Sequence, residues 1–257
     1  MPATVQTVAT IVTGVLAGVL MVIVLFVWAR RRDPIFLCFV LSSAVCAWLE
    51  PMVDILGLVW HPRFGQWQAF ETFGRPIPVW VVFGYILVFG LLPGLDLVLL
   101  RRRVGYRLMW IATLINLGVD TAIEVPLTAH RLYYYYGDQP LKIGQFPALQ
   151  LAVNGTCAVL IATLVFRFPQ AFSGVRALWL LLVAPAAQLG ALAVGIPAFS
   201  VLNTDLPQAI RWIGVAASLG LGLLAMDRII RFATGKTDVA APDAESGKRP
   251  AAEPARP

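Results

Sequence analysis

Hydrophobic positions run along this chain in seven long stretches. Short Arg-rich turns and longer aromatic loops alternate between them. The stretches cover about Thr7 to Ala29, Ile35 to Leu58, Val79 to Leu100, Tyr106 to Pro126, Ala148 to Phe166, Ala177 to Ile196 and Gln208 to Phe232. Each is close to the roughly 20 apolar residues that a helix needs to cross the hydrocarbon of a bilayer. The pattern predicts an all-α, polytopic membrane protein with seven transmembrane helices, the sixth interrupted at Pro185. Residues 236–257, KTDVAAPDAESGKRPAAEPARP, are rich in Pro, Ala and charge and predict a disordered tail, leaving 1–235 as the membrane domain.

Composition sharpens this reading. Only 13% of the residues are charged and 59% are hydrophobic, against about 25% charged in soluble domains. A chain of 257 residues with seven spans leaves no room for a large soluble domain. The net charge of +6 does not point to nucleic acid, because the Arg residues flank apolar runs. Arg30–Arg32, Arg101–Arg103 with Arg107, Arg167 with Arg176, and Arg228, Arg231 and Lys236 fall on alternate connections. The excess of positive charge on cytoplasmic loops then predicts an outside N-terminus, a cytoplasmic tail and a multi-pass position in the cell membrane. Cys38, Cys46 and Cys157 lie in apolar runs without CxxC spacing and read as small buried hydrophobes. The N-terminus lacks the basic region and cleavage site of a signal peptide, so the first stretch is expected to be retained as a helix.

Four acids break the apolar pattern. Glu50 and Asp54 lie in AVCAWLEPMVDILGLVW, Asp120 and Glu124 in ATLINLGVDTAIEVPL. A spacing of four puts both members of a pair on one helix face. An Asp at a helix centre costs on the order of 2.5–3.5 kcal/mol on insertion scales, and less towards the ends. Counted from the basic ends at about 1.5 Å per residue, Glu50 and Asp120 are ~22 and ~21 Å deep, and Asp54 and Glu124 ~28 and ~27 Å. The matching depths predict that segments two and four face each other across a polar pocket beneath the two long outer loops.

Two close carboxyls in a low-dielectric site do not ionise together, which yields a general acid beside a general base. That chemistry suits cyclisation, dehydration or isomerisation. Glu50 and Asp120 are the expected working pair, with Asp54 and Glu124 tuning them or orienting substrate. Asn116 continues the acidic stripe of segment four, and Asn154 extends a weaker stripe, with Gln150, on segment five. Arg211 enters from segment seven at a similar depth and is expected to hold one carboxylate ionised. His61 and His130, just beyond the two pairs, read as interfacial loop residues. Tyr133 to Tyr136, Trp60 and Trp67 read as an aromatic belt, with some at the pocket mouth. Together Asn116, Asn154, Arg211, His61, His130 and Tyr133 form the candidate substrate-binding set. HxxxH, HxxHH and ExxH spacings are missing, so neither a metal nor a cofactor is expected. Asp96 and Asp227 read as ion-pair partners of Arg residues at the inner interface.

The runs LEPMVDILGLVWHP, FGRPIPVWVVFGY, DTAIEVP, LYYYYGDQP and FPALQLAVNG resemble the AveC-like family of actinobacterial membrane proteins, named for a spirocyclase of macrolide biosynthesis. The resemblance covers Trp48 to Asn154, about two fifths of the chain. It implies acid-assisted ring closure of the spiroketal type, or dehydration, on a hydrophobic substrate without a redox cofactor. Glu50, Asp54, Asp120 and Glu124 stand at the polar positions such proteins present. By fold-level analogy the chain is also similar to the small seven-helix terpene cyclases of fungal meroterpenoid pathways. The expected partners are a lipophilic small molecule and membrane lipid, and oligomeric state has no sequence signal. The rival readings are a proton-coupled transporter, which needs a continuous polar path past Gln188 to Asp96, and a lipid-binding or scaffold protein, which needs no cavity.

Overall fold

The computed structural model describes residues 3–235; the expected tail from Lys236 onward lies outside them. Among the described residues, seven helical spans are long and apolar enough to cross a membrane. They form one bundle with the Arg residues of the turns at one end and the long loops at the other. We call these the basic end and the loop end.

Span one is a single helix, α1 (Ala3–Arg31). Only the stripe Ala17, Leu20 and Val24 is deeply buried, against Val40 and Ile86. Its other faces expose Val and Ile residues, which suits contact with lipid. Span two is broken. It runs as α2 (Ile35–Cys46), a 3₁₀ turn (Ala47–Leu49) and α3 (Glu50–Gly57). Pro51 falls in the first turn of α3, where its missing N–H costs no helical hydrogen bond. Leu58 then takes a left-handed conformation, φ 55°, and turns the chain out of the helix.

Span three comprises α4 (Val79–Tyr85), a π-helical turn (Ile86–Leu91) and α5 (Leu92–Arg101). Span four is the continuous helix α6 (Tyr106–Ala129), which carries on past Pro126 where the sequence predicts its end. Span five is α7 (Leu149–Arg167). Span six opens with 3₁₀ turns (Pro169–Phe172 and Gly174–Leu182) and continues as α8 (Val183–Leu202). Pro185 therefore sits in a first helical turn and does not interrupt the helix. Span seven is α9 (Gln208–Thr234).

The helices α7, α8 and α9 pack mutually and form the most extensive contacts of the bundle. Small residues permit this: a Cβ on Gly222 would lie 2.5 Å from the Cβ of Ala152, and one on Gly155 would lie 2.7 Å from the sulfur of Met226. Serines repair the backbone where α8 starts and where Pro197 disturbs it. Ser42 accepts from the Ala184 N–H and Ser218 from the Ala198 N–H, each at 3.0 Å.

Short strands roof the loop end. The loop after span two gives β1 (Val59–Trp60) and the hairpin β2 (Gln68–Thr72) and β3 (Arg75–Pro78). Phe73 and Gly74 both have positive φ at its tip, the geometry of a two-residue hairpin turn. The loop after span four gives β4 (Tyr134–Tyr135) and the hairpin β5 (Lys142–Ile143) and β6 (Phe146–Pro147). The two loops are stitched together. β1 pairs antiparallel with β4, Val59 opposite Tyr135. Gln66 donates to the Leu132 carbonyl at 2.7 Å and Gln139 to the Gly57 carbonyl at 2.8 Å. Arg75 donates to the Tyr136 hydroxyl and lies over the Trp60 ring, 5.0 Å from its centroid.

Candidate functional site

Beneath this roof lies a cavity of about 380 Å³, walled by α1, α3, α4, α6 and α7. Its size is at the lower end of small-molecule sites, which run to roughly 300–1,000 Å³. Glu50, Asp120 and Glu124 all line it, with His61, His130, Tyr133, Tyr135, Gln150, Asn154 and Gln188. The expectation that spans two and four share a pocket therefore holds. The helices themselves do not interlock. α6 packs on α7, α5 and α9, and the cavity separates it from α3.

The first acidic pair is organised by a histidine. Glu50 begins α3 and Asp54 follows one turn later. The left-handed Leu58 and β1 fold the chain back so that His61 comes to lie between the two carboxyls. Its Nδ1 is 3.2 Å from Asp54 Oδ2, and its Nε2 is 3.9 Å from Glu50 Oε1. His61 is only 2% exposed, which corrects its placement as an interfacial residue. Its ring stacks on Tyr133 at 5.4 Å and meets Trp80 at 5.9 Å. Trp80 is fixed in turn by donating to Gln66 at 2.7 Å. Glu50 accepts a 2.6 Å hydrogen bond from the Tyr85 hydroxyl on α4. An Asp on one ring nitrogen sets the tautomer and leaves the other nitrogen for proton transfer.

The second pair faces the first. Asp120 is buried and accepts from Asn154 of α7 at 3.0 Å. Glu124, one turn on, is partly buried and carries an unpartnered oxygen. Tyr135 reports the convergence of all four acids. Burial, then the carboxylates of Glu124, Glu50, Asp120 and Asp54 in that order, push its hydroxyl well above its ordinary value of 10. Five cavity-lining side chains, Asp120, Glu124, Tyr133, Gln150 and Gln188, each hold a buried polar atom with no partner among the described residues. Such atoms are rare in folded proteins and call for a partner, whether water or a bound molecule.

The expected placements of Asn116, Asp96 and Arg211 are corrected. Asn116 does not join the acids of its own helix. Its amide donates to both oxygens of Asp96 at 3.1 Å, towards the basic end. Asp96 is correspondingly buried against Asn116 rather than paired with the Arg cluster, where Arg101 meets Asp33 at 3.6 Å. Arg211 donates to the Thr204 carbonyl at 3.3 Å, in the turn before α9, and does not line the cavity; it holds no carboxylate. Tyr133 belongs to the cavity and not to the belt, being 5% exposed. Asp227 pairs with Arg231 at 2.7 Å as expected. His130 lines the cavity yet is exposed, as a residue at a mouth should be. Asn154 is at the site through Asp120. Tyr85, Trp80 and Tyr135 carry no sequence signal that separates them from the apolar and aromatic residues around them.

One ligand atom each of Glu50, Asp54 and His61 lie within 4.8 Å of one another, a set able to hold a divalent cation. The ring turns Nδ1 to Asp54 within hydrogen-bond reach and Nε2 towards Glu50 at 3.9 Å, beyond it, so its two nitrogens do not converge on one point. Compared with known protein families, curated proteins and solved structures, the chain finds no match.

The His61–Asp54 pair has a pH signature. Burial lowers the basicity of His61, but the Asp54 charge and hydrogen bond and the Glu50 charge outweigh it, so the net pKa lies above the ordinary 6.5. The folded state then holds this proton more tightly than the unfolded chain. The resulting stabilisation is complete below pH 6.5 and is lost as pH rises through the folded value. Thermal unfolding in detergent is expected to show the wild type losing stability relative to His61→Gln as pH is raised above 6.5. Parallel pH profiles for the two proteins would refute the assignment.

Proposed function

We propose that this chain is a multi-pass enzyme of the cell membrane that closes, isomerises or dehydrates a lipophilic, polyketide- or terpenoid-like substrate by acid–base catalysis, without a redox cofactor. The Arg asymmetry orients it with the N-terminus outside and the last residues cytoplasmic, so the cavity lies under the outer face. The observation that carries the reading is the meeting of Glu50, Asp120, Glu124 and His61 in one largely apolar cavity, with Asp54 behind the histidine. In a spiroketal-type closure, a basic carboxylate takes the proton of a substrate hydroxyl, and that hydroxyl's oxygen attacks a hemiketal carbon, whose own hydroxyl departs. An acid on the opposite wall gives its proton to the departing oxygen, which leaves as water. Glu50 and Asp120 hold these roles from facing walls. His61, held by Asp54, sets the field at Glu50, and Glu124 tunes Asp120. The resemblance to the AveC-like family supports the same reading, since all four acids lie inside the resembling region.

Two features weigh against the rivals. Gln188 lines the cavity but Asp96 does not, so the polar lining stops short of the basic end, unlike a transport path. A scaffold would leave neither a cavity nor unpartnered carboxyl oxygens. Metabolite profiling of a deletion strain is expected to show an open-chain or hydrated precursor accumulating at the expense of a product one water lighter, or of an isomer. A normal product that is only retained inside the cell would establish transport instead.

A further inference from the structure

The β1–β4 seam roofs the cavity, with exposed His130 at its edge, but one flank is built differently. Its wall on α1 is formed by Val8, Val12 and Leu16, a four-spaced stripe, together with its neighbours. These side chains are 54%, 50% and 51% exposed, so they form the cavity wall and the outer surface at once. Ile123, across from them on α6, lines the cavity and is 37% exposed. α1 leans on α4, α2 and the π-helical turn, and α6 on α7, α5 and α9; the two are not packing partners. From Val8 to Leu16 this lip runs about 12 Å along the helix, most of one leaflet's hydrocarbon depth.

Glu50, Asp120 and Glu124 line the cavity and no Lys or Arg does, while His61, the buried base of the lining, is already engaged by Asp54. Arg75, which faces His61 from the roof, is engaged by the Val59 carbonyl, the Tyr136 hydroxyl and the Trp60 ring. An incoming carboxylate or phosphate would meet acids without a free counter-charge, a costly state in a low-dielectric site. A hydroxyl or an amine would find acceptors and aromatic faces.

We infer that the cavity fills from the bilayer, through the gap between α1 and α6, with a single-chain lipophile whose polar end is uncharged or cationic, and that it refuses anionic ends. The inference deepens the enzymatic reading by naming its substrate class, but it concerns binding and stands apart from turnover. Gly84 supplies the test. It lines the cavity and a Cβ there meets nothing within 4 Å, so a large side chain has room to intrude. Gly18 on α1 is equally open but does not line the cavity.

The full chain in lipid nanodiscs is irradiated with diazirine derivatives of hexadecanol, hexadecylamine and hexadecanoic acid, at a pH where the last is ionised, and crosslinked peptides are mapped. The alcohol and amine are expected to label cavity-facing positions of α1 and α6, and the acid about tenfold less. Gly84→Trp should remove that labelling and Gly18→Trp should preserve it. Should Gly84→Trp fail to fold, Val12→Trp replaces it. Equal labelling by the acid overturns the charge inference, and labelling unchanged in the plugged variant overturns the portal. Glu50→Gln should still be labelled. A labelled Glu50→Gln with normal turnover overturns the catalytic role of Glu50 and leaves the portal standing.

Discussion

Glu50→Gln is expected to lower turnover by about 10²- to 10⁴-fold, the usual contribution of a positioned acid or base, while the purified protein keeps its wild-type elution and melting behaviour. The amide keeps the shape of the carboxyl and can still accept from Tyr85, which now donates at 2.6 Å. On the proposed mechanism, what it loses is the proton that Glu50 exchanges with substrate. Asp120→Asn should behave alike, since Asn154 can still donate to the remaining carbonyl oxygen. Asp96→Asn is the control: buried with Asn116 and outside the cavity wall, it should leave the chemistry intact. The measurement is conversion, by membranes carrying each variant, of the precursor that accumulates in the deletion strain. Full activity in Glu50→Gln or Asp120→Asn would sink the assignment, and loss confined to Asp96→Asn would move the site to the basic end.

His61→Ala is expected to destabilise the protein by about 3–5 kcal/mol, the cost of stripping one partner from a buried ion pair. Asp54 is fully buried and one of its oxygens already lacks a partner. Removing His61 leaves its other oxygen unpaired as well. The double variant Asp54→Leu/His61→Phe should recover most of the loss, because replacing both members of a buried pair by apolar groups is often close to neutral. Unfolding in detergent, read as a double-mutant cycle, measures this directly. A His61→Ala protein as stable as wild type would mean that Asp54 is held by something other than the ring.

The spans were legible because apolar length is a blunt signal that lipid enforces on every residue. The depth of the two acidic pairs was legible for a related reason: the rise per residue is fixed, so counting from the Arg turns gave a common level. Rotation about the helix axis was not. Four residues advance a helix by one turn and about 40° more, so from Asn116 to Glu124 the stripe has turned through roughly 80°. That carries Asn116 away from the cavity and onto Asp96. The same blindness misplaced Arg211, whose long side chain reaches back to Thr204. His61 was hidden by the left-handed Leu58, which nothing in LGLVWHP announces and which folds the chain back over its own acids. Tyr85 is one aromatic among apolar neighbours, and only its contact with Glu50 distinguishes it.

The acids differ in how long each must wait for its partner as the chain is made. Asp54 meets His61 only seven residues later, within the same hairpin as it leaves the ribosome. Glu50 waits 35 residues for Tyr85 on the next span, and Asp120 waits 34 for Asn154. The fourth span thus reaches the insertion machinery carrying an acid whose neutralising amide has not yet been translated. Until the fifth span arrives Asp120 is a buried-to-be acid without its amide donor, so the fourth and fifth spans are expected to enter the lipid together.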